Sequence, residues 1–359
     1  MKNILLTGAA GSIGYEALKQ LAEDSSYNVT IIDLDTKKAR KRFKPFLDKV
    51  TVVYGSINDE ELMKKLIVDK DVVIHLAAII PPLADTHPEL TRKVNYYGTM
   101  NIVSSIKKYN DKCFLVFTSS VSVYGDRVEN PYISVNDPLK NSEGDYYAFV
   151  KIETEKLIRE AHINYTIFRL TGIMGRPDID PLMFHMPLDT KMEIASTIDT
   201  ARALKNSIEH TKELKGHIYN LAGGEKCRTI YRDFIINMFK IYGLNIKYLK
   251  TLAFAQKNFH CGYFNDSDEL NKILDFQRDT LDSYYGRIKD ETKGIIRFFS
   301  KIFSRPVIYF LQKKSEPLKA IKENDKGLIN RFFKSIKDIK DDIFVKKDKN
   351  NKKKKRIKK

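Results

Sequence analysis

Met1–Tyr15 reads MKNILLTGAAGSIGY, and the order of residues in it decides the architecture. Ile4, Leu5 and Leu6 form an uninterrupted apolar run, the pattern of a parallel strand buried on both faces. Thr7 and Gly8 end the run, and Gly11 and Gly14 follow at three-residue spacing as a helical pattern begins. Glycines without a Cβ let a backbone turn tightly and approach a phosphate closely, whose charge then rests on N–H groups at a helix start. Ser12 and Ile13 lie within that turn. The spacing is G-x-x-G-x-x-G, and by itself it would describe any tight strand-to-helix turn.

A second apolar strand, Val29 to Ile32, ends in Asp33, 19 residues after Gly14. A carboxylate at that distance accepts hydrogen bonds from an adenosine ribose and repels a 2′-phosphate, so NAD is favoured over NADP. Lys37, Lys38 and Arg40 close behind are the feature that would serve NADP instead.

Apolar runs recur at Val50–Tyr54, Asp71–Ala78, Cys113–Thr118 and Tyr165–Leu170, separated by helical patterns that include Pro88–Tyr109 and Asp145–Ala161. Strands alternating with helices predict an α/β fold with a parallel sheet covered on both faces. Three widely spaced cysteines, Cys113, Cys227 and Cys261, form neither a disulfide framework nor a metal pattern, so no metal is expected and a reducing, cytoplasmic setting is. The apolar patch at residues 4–6 is too brief for a signal peptide, and no window reaches ~18 apolar residues.

The 359 residues carry 63 Lys+Arg and 46 Asp+Glu, a net charge of +17. Of these, 23 and 8 fall in residues 291–359, which leaves 40 and 38 for the rest. This shift in composition places a boundary near residue 290.

Tyr147 and Lys151 stand four apart in a helical pattern, one turn from each other on one face. A free phenol, with a pKa near ~10, is a poor base at neutral pH. A neighbouring ammonium and a positive nicotinamide ring would favour the phenolate. Ser120, at the C-terminal end of the fifth strand, is placed to hold a substrate oxygen.

Taken in order, these residues resemble the extended short-chain dehydrogenase/reductases, the NAD-dependent epimerase/dehydratases. The likeness covers about residues 1–285 and is carried by Thr7–Gly14, Asp33, His75–Ala78, Val94–Thr99, Ser119–Ser120 with Val123–Gly125, Tyr147 with Lys151, Arg169 with Gly175, Asp199–Ala201 and Tyr219–Gly223. The resemblance implies a Rossmann-type doubly wound parallel sheet with a small C-terminal substrate lobe and a basic helical tail. The divisions expected are 1–175, 176–290 and 291–359. It implies that Tyr147 is the acid/base, that Lys151 binds the nicotinamide ribose and tunes Tyr147, and that Ser120, better placed than Ser119, polarises the substrate oxygen. Gly8, Gly11, Ser12, Ile13, Gly14, Asp33, Ser56, Ile57, Ala77, Ala78 and Asn95 would line the cofactor cleft, with Ser56 where the family usually has Asp.

The implied reaction is hydride transfer at a carbinol or ketone carbon of a sugar or nucleotide-sugar. Two departures qualify the substrate. Strand six reads Arg169-Leu170-Thr171-Gly172 where nucleotide-sugar members carry Arg-x-x-Asn, and Met192 stands where an arginine would grip a diphosphate. A bidentate guanidinium is a stronger anion contact than a point charge. Ser119, Arg169, Gly172 and Lys191 are the substrate-side candidates, with Arg176 and His185 as further cations. The alternatives are a reductase of a smaller substrate, like the hydroxysteroid or flavonol branches, and a non-catalytic NAD-sensing protein at a membrane.

Ile295, Phe298, Phe299, Ile302 and Phe303 recur at helical spacing with Arg297, Lys301 and Arg305 on other faces, and Ile329–Ile343 makes a second such stripe before a polybasic end. This pattern suits an anionic membrane surface, peripherally on the inner face, or packing against the enzyme body or a second copy in a homodimer. Nucleic acid ranks behind both, since nothing in the helices resembles a groove-reading module.

Overall fold

The computed structural model describes residues 1–175 and 181–335. Its centre is a seven-stranded sheet of β1 (Lys2–Thr7), β2 (Tyr27–Asp33), β3 (Thr51–Tyr54), β4 (Val72–His75), β5 (Phe114–Ser120), β6 (Asn164–Leu170) and β7 (Ile218–Leu221). Every pairing is parallel, in the order β7-β6-β5-β4-β1-β2-β3. The order reverses at β1, so the crevice between the carboxyl ends of β1 and β4 is the ligand-binding switch point of this architecture.

The apolar runs explain why the sheet is buried on both faces. Side chains alternate along a strand, and in β1 Ile4 and Leu6 enter one core while Leu5 enters the other. The first core joins Val29, Ile31, Ile74 and Phe168 to α1 (Ser12–Ala22), and the second joins Val73, Leu115 and Ile167 to residues of the opposite helical layer. Each of these large side chains contributes roughly 1.5–3 kcal/mol when fully buried.

On that second side lie α2 (Glu60–Ile67), α3 (Gly98–Tyr109) and α4 (Tyr146–Glu160). The helix expected over Pro88–Tyr109 is helical throughout, with a π-helical stretch inside it: Pro88–Thr91 is α-helical, Arg92–Tyr97 is π-helical, and α3 continues from Gly98, whose N–H reaches back five residues to Lys93. α4 starts where expected because the Asp145 carboxylate accepts the Ala148 N–H at 2.8 Å.

The chain divides into two compact units. The first takes Met1–Asp178, Asp189–Ile230 and Asn258–Tyr284 and contains the whole sheet. The second takes Ile179–Leu188, Tyr231–Lys257 and Tyr285–Lys359. It is helical, with α5 (Tyr231–Tyr242), α6 (Gly294–Ile302), α7 (Ser304–Gln312), α8 (Glu316–Glu323) and α9 (Lys326–Phe332). A small core of Ala255, Ala320, Ile329, Phe332 and Phe333 lies within it. Arg176, Ile336, Ile343 and the polybasic end are outside the described residues.

Candidate active site

The turn after β1 is built so that only glycine fits. Gly8 has φ +72°, and a Cβ there would lie 2.6 Å from the Ala77 nitrogen. A Cβ on Gly14 would lie 2.2 Å from the Gly8 carbonyl oxygen, and the Gly11 N–H donates to that oxygen at 3.0 Å. α1 therefore starts hard against the turn. Gly11 caps it without any side chain, and exposed Ser12 and half-buried Ile13 form its first positions. The opening N–H groups of α1 are thus the donor set that a pyrophosphate requires.

Asp33 stands beside this turn, its carboxylate accepting the Ala10 N–H at 2.7 Å and the Leu34 N–H at 2.8 Å. Arg40, read from the sequence as favouring NADP, is instead tied to Asp35 through two contacts of 2.6 and 2.7 Å. Arg42 was not singled out in the sequence. Its guanidinium donates to the carbonyls of Ala10 and Gly11 at 2.7 and 3.1 Å and stacks over Tyr15, bracing the glycine turn from outside.

The end of β4 is fixed by a buried relay. Thr99 donates to the Asn95 carbonyl at 2.7 Å, so the contact of 2.9 Å between Thr99 and His75 Nε2 requires the imidazole to donate there. His75 Nδ1 then accepts from the Thr7 hydroxyl at 2.7 Å, and the Thr7 oxygen accepts the N–H groups of Leu76 and Ala77. One tautomer satisfies every partner. Burial, with the nearby Lys151 ammonium, pushes the His75 pKa down to about 3, so the ring is neutral. Asn95, in the π-helical stretch, brackets Ile79 by accepting its N–H at 2.7 Å and donating to its carbonyl at 2.8 Å. Ala77 and Ala78 are half-buried at this edge. Ser56 accepts the Asn58 N–H at 3.2 Å after β3, and buried Ile57 lies under Gly98, where a Cβ would come within 2.5 Å of it.

At the end of β5 the structure brings Ser120, Tyr147 and Lys151 together. The Ser120 oxygen accepts from the Ser122 N–H at 3.2 Å and the Ser122 hydroxyl at 3.0 Å, and Ser120 stands near enough to the Tyr147 phenol to favour its phenolate. The role of Ser122 had no sequence signal beyond its place in the serine-rich strand end. Lys151, almost wholly buried, donates to the Thr118 carbonyl at 2.7 Å and lies 4.6 Å from the Phe117 ring centroid and 5.7 Å from that of Tyr147.

Burial pushes the Lys151 pKa down to about 8, with Glu155 acting against it. The protein's own groups act on Tyr147 mainly against ionisation. Burial and the carboxylates of Asp145 and Asp85 push the phenol up, and only Ser120 favours the phenolate. The Lys151 ammonium is held on the Thr118 carbonyl. The Ser119 hydroxyl is buried next door without a hydrogen-bond partner.

The substrate-side candidates are placed differently. Arg169 is 3% exposed and pairs with Glu155, 1% exposed, at 2.7 Å. Its remaining donors go to the Tyr124 hydroxyl at 2.9 Å and the Val135 carbonyl at 2.8 Å, and Tyr124 donates on to Asn220 at 2.6 Å. The guanidinium is thus engaged within the fold and contacts neither Ser120 nor Tyr147. Gly172 accepts the Ala195 N–H at 3.2 Å, and a Cβ there would meet nothing within 4 Å. Lys191 opens a short strand, Lys191–Glu193, with its ammonium 5.4 Å from the Tyr132 ring and 5.9 Å from that of Tyr263. Met192 beside it is buried, and His185 lies in the second unit against Glu316 at 2.9 Å.

This arrangement has a counterpart among known proteins. The sequence model of the NAD dependent epimerase/dehydratase family matches residues 4–188, just over half the chain. The chain belongs to that family. Its relatives include a dTDP-glucose 4,6-dehydratase of Mycolicibacterium smegmatis, 30% identical over 162 residues, or 44% of this chain and 47% of the relative. Another is the N-acetyl-alpha-D-glucosaminyl-diphospho-ditrans,octacis-undecaprenol 4-epimerase of Escherichia coli O157:H7, 30% identical over 180 residues, 48% and 49% of the two chains. The chain spans about half the length of these curated relatives. In fold it is similar to the UDP-glucuronic acid 4-epimerase of Bacillus cereus solved with UDP-glucuronic acid and NAD, at a TM-score of 0.64 and 21% identity over 80% of this chain and 99% of that one. The family is one of NAD-dependent enzymes.

Proposed function

We propose that this family member oxidises and reduces a carbinol carbon of a sugar, with Tyr147 as acid/base, Ser120 holding the reacting oxygen and Lys151 at the cofactor ribose. The observation that carries the reading is the convergence of Ser120, Tyr147 and Lys151 at the carboxyl edge of the sheet, with Lys151 one turn beyond Tyr147 on the same helix and anchored on the Thr118 carbonyl. The residues also fit NAD. The Gly8 turn leaves no room for a Cβ, α1 begins uncapped, and Asp33 presents a carboxylate where a ribose is expected and a 2′-phosphate is repelled.

When bound, NAD would supply the hydride acceptor and a positive ring beside the phenol. The chain's own residues handle the proton. With a positive ring beside it favouring the phenolate, Tyr147 would take the proton from the substrate hydroxyl as the carbon is oxidised, becoming the neutral phenol, and would return it as the carbon is reduced. Ser120, with the Ser122 N–H and hydroxyl donating to its own oxygen, would donate its hydroxyl proton as a hydrogen bond to the same substrate oxygen throughout. Lys151, held on the Thr118 carbonyl, keeps a positive charge beneath the ribose side of the pocket below about pH 8.

The substrate class proposed is a nucleotide-sugar, the type named for the M. smegmatis and B. cereus proteins. A sugar joined through diphosphate to a long-chain polyprenol is the second reading. The E. coli relative is named for such a substrate, and the outward apolar face of α6 and α7 favours it, since a carrier lipid keeps its sugar at a membrane.

The test is a screen of both substrate classes with NAD, by absorbance of reduced nicotinamide and by product analysis, on the wild type and Tyr147→Phe. Loss of the acid/base is expected to lower turnover by roughly 10²–10⁴-fold while NAD affinity stays within about twofold. Undiminished turnover in the variant removes the assignment.

A further inference from the structure

We infer that the paired helices α6 and α7 form a seat for an anionic lipid surface, entering the headgroup region without crossing the bilayer. Ile295, Phe298, Phe299, Ile302, Tyr309 and Phe310 are each more than half exposed, with Phe298 at 61% and Phe310 at 62%. Ile295, Ile296, Phe299, Phe303 and Val307 line an open apolar groove between the two helices. Soluble surfaces rarely leave contiguous patches of this kind without a partner.

Among the described residues nothing covers this face, and the opposite side of the pair is already fastened. Ser304 and Ile308 are buried, and Ser304 accepts the Asn245 N–H at 2.6 Å. Gln312 accepts the Lys250 N–H at 2.7 Å and donates to the Tyr248 carbonyl at 3.3 Å, while Ser315 donates to the Ala253 carbonyl at 2.6 Å. Gly243, at φ +76°, lets the end of α5 approach so closely that a Cβ would lie 2.6 Å from the Arg297 carbonyl oxygen. The second unit therefore holds these helices rigidly and turns their aromatic side outward.

Charge selects the occupant. From Lys293 to Lys314 the sequence has six Lys or Arg and no Asp or Glu. A second copy seated here would bring a like-charged surface against this one, whereas an anionic leaflet attracts each cation within a Debye length. Lys313 lies over the rings of Tyr309 and Phe310, at 4.8 and 5.2 Å, so cationic and aromatic groups meet at one end of the face as they do at a headgroup boundary. Each helix has nine residues, roughly 14 Å of rise against about 30 Å of hydrocarbon, which limits it to lying on the surface. No helix of the described residues is long and apolar enough to cross a membrane.

The test is sedimentation of the full chain with vesicles of phosphatidylcholine alone and of phosphatidylcholine mixed with one-third phosphatidylglycerol, comparing wild type with the double variant Phe298→Asp/Phe310→Asp. The wild type is expected to bind the anionic vesicles and to be released as salt rises from about 0.1 M to about 1 M, which shortens the Debye length from ~10 to ~3 Å. The double variant should lose at least tenfold in partitioning while melting at the wild-type temperature. Tyr309→Asp is the second variant, should the first fold poorly. Absence of binding to anionic vesicles overturns the inference, as does equal partitioning of folded variants, which would assign binding to another part of the chain. A wild-type dimer that the substitutions split, with no vesicle binding, would give the face to a second copy. None of these readouts involves NAD or turnover, so the result is separate from the enzymatic reading.

Discussion

Arg169→Met is the substitution whose consequence the structure specifies most fully. The guanidinium and its partner Glu155 are 3% and 1% exposed, in contact at 2.7 Å, with a second approach of 3.1 Å from the Arg169 Nε. Methionine keeps much of the volume but leaves the Glu155 carboxylate buried without its counter-charge. Breaking a buried pair from one side costs about 3–5 kcal/mol. At about 2–4 °C per kcal/mol for a unit of this size, the melting temperature should fall by about 6–20 °C. The paired change Glu155→Leu/Arg169→Met removes both charges and should recover the greater part, since replacing a whole buried pair by apolar groups is often neutral. Tyr124 would still donate to Asn220 in that variant. The assay is thermal unfolding followed by circular dichroism, with KM measured for Arg169→Lys. If Arg169→Met melts within about 2 °C of the wild type, Glu155 is not left as an uncompensated buried charge and the reasoning fails. If Arg169→Lys raises KM several-fold at an unchanged melting temperature, the guanidinium serves the substrate and the architectural reading fails.

Two further outcomes test the cofactor edge. Asp33→Ala removes a carboxylate acceptor and should weaken NAD by about 10–100-fold, as expected for losing hydrogen bonds to a charged group, with a smaller effect on NADP; equal losses for the two cofactors in titration calorimetry would refute its role as the ribose acid. His75 is neutral when folded, with its pKa held down to about 3 from 6.5. Below pH 6.5 the unfolded chain takes up a proton that the folded chain refuses until about pH 3, so this residue's contribution to stability is lost progressively as pH falls across that window. In His75→Gln the melting temperature should therefore fall less between neutral and mildly acidic pH than in the wild type, and identical pH slopes would contradict the buried neutral ring.

Most of the sheet was legible because its strands are unbroken apolar runs: Ile4–Leu6 and Val72–Ile74 have no other reading in a chain with turn signals on both sides. The Tyr147–Lys151 pair was legible because helical spacing alone puts both on one face. What escaped depends on partners distant in sequence. β7 is four residues long and contains Asn220, so nothing local marks it as the seventh strand. Arg169 looks like an anion contact until Glu155 and Tyr124 are seen to surround it. The brace from Arg42 reaches back 32 residues to Ala10. The anchoring of Lys151 escaped for a related reason: spacing places it one turn from Tyr147, but only the fold shows its ammonium drawn to the Thr118 carbonyl. The second unit gathers three separated stretches of chain, a grouping that hydrophobic period does not encode.

The allocation of positive charge bears on how the proposed substrate is held. With Arg169 committed to Glu155 and Arg228 to Glu193 at 2.8 Å, two of the first unit's guanidiniums are neutralised within the protein. Met192 is buried and apolar. Lys191 is paired with no carboxylate among the described residues and is flanked by the rings of Tyr132 and Tyr263. A single ammonium on a flexible stem attracts a diphosphate without fixing its orientation as a guanidinium fork would. A soluble nucleotide-sugar held this way would depend on contacts to its base and sugar for most of its affinity. A lipid-carried sugar would not, because confinement to a surface raises its effective concentration without a new contact. A single ammonium at Lys191 and the exposed aromatic face of α6 and α7 are thus the two features that the proposed second reading, a lipid-carried sugar, would draw on together.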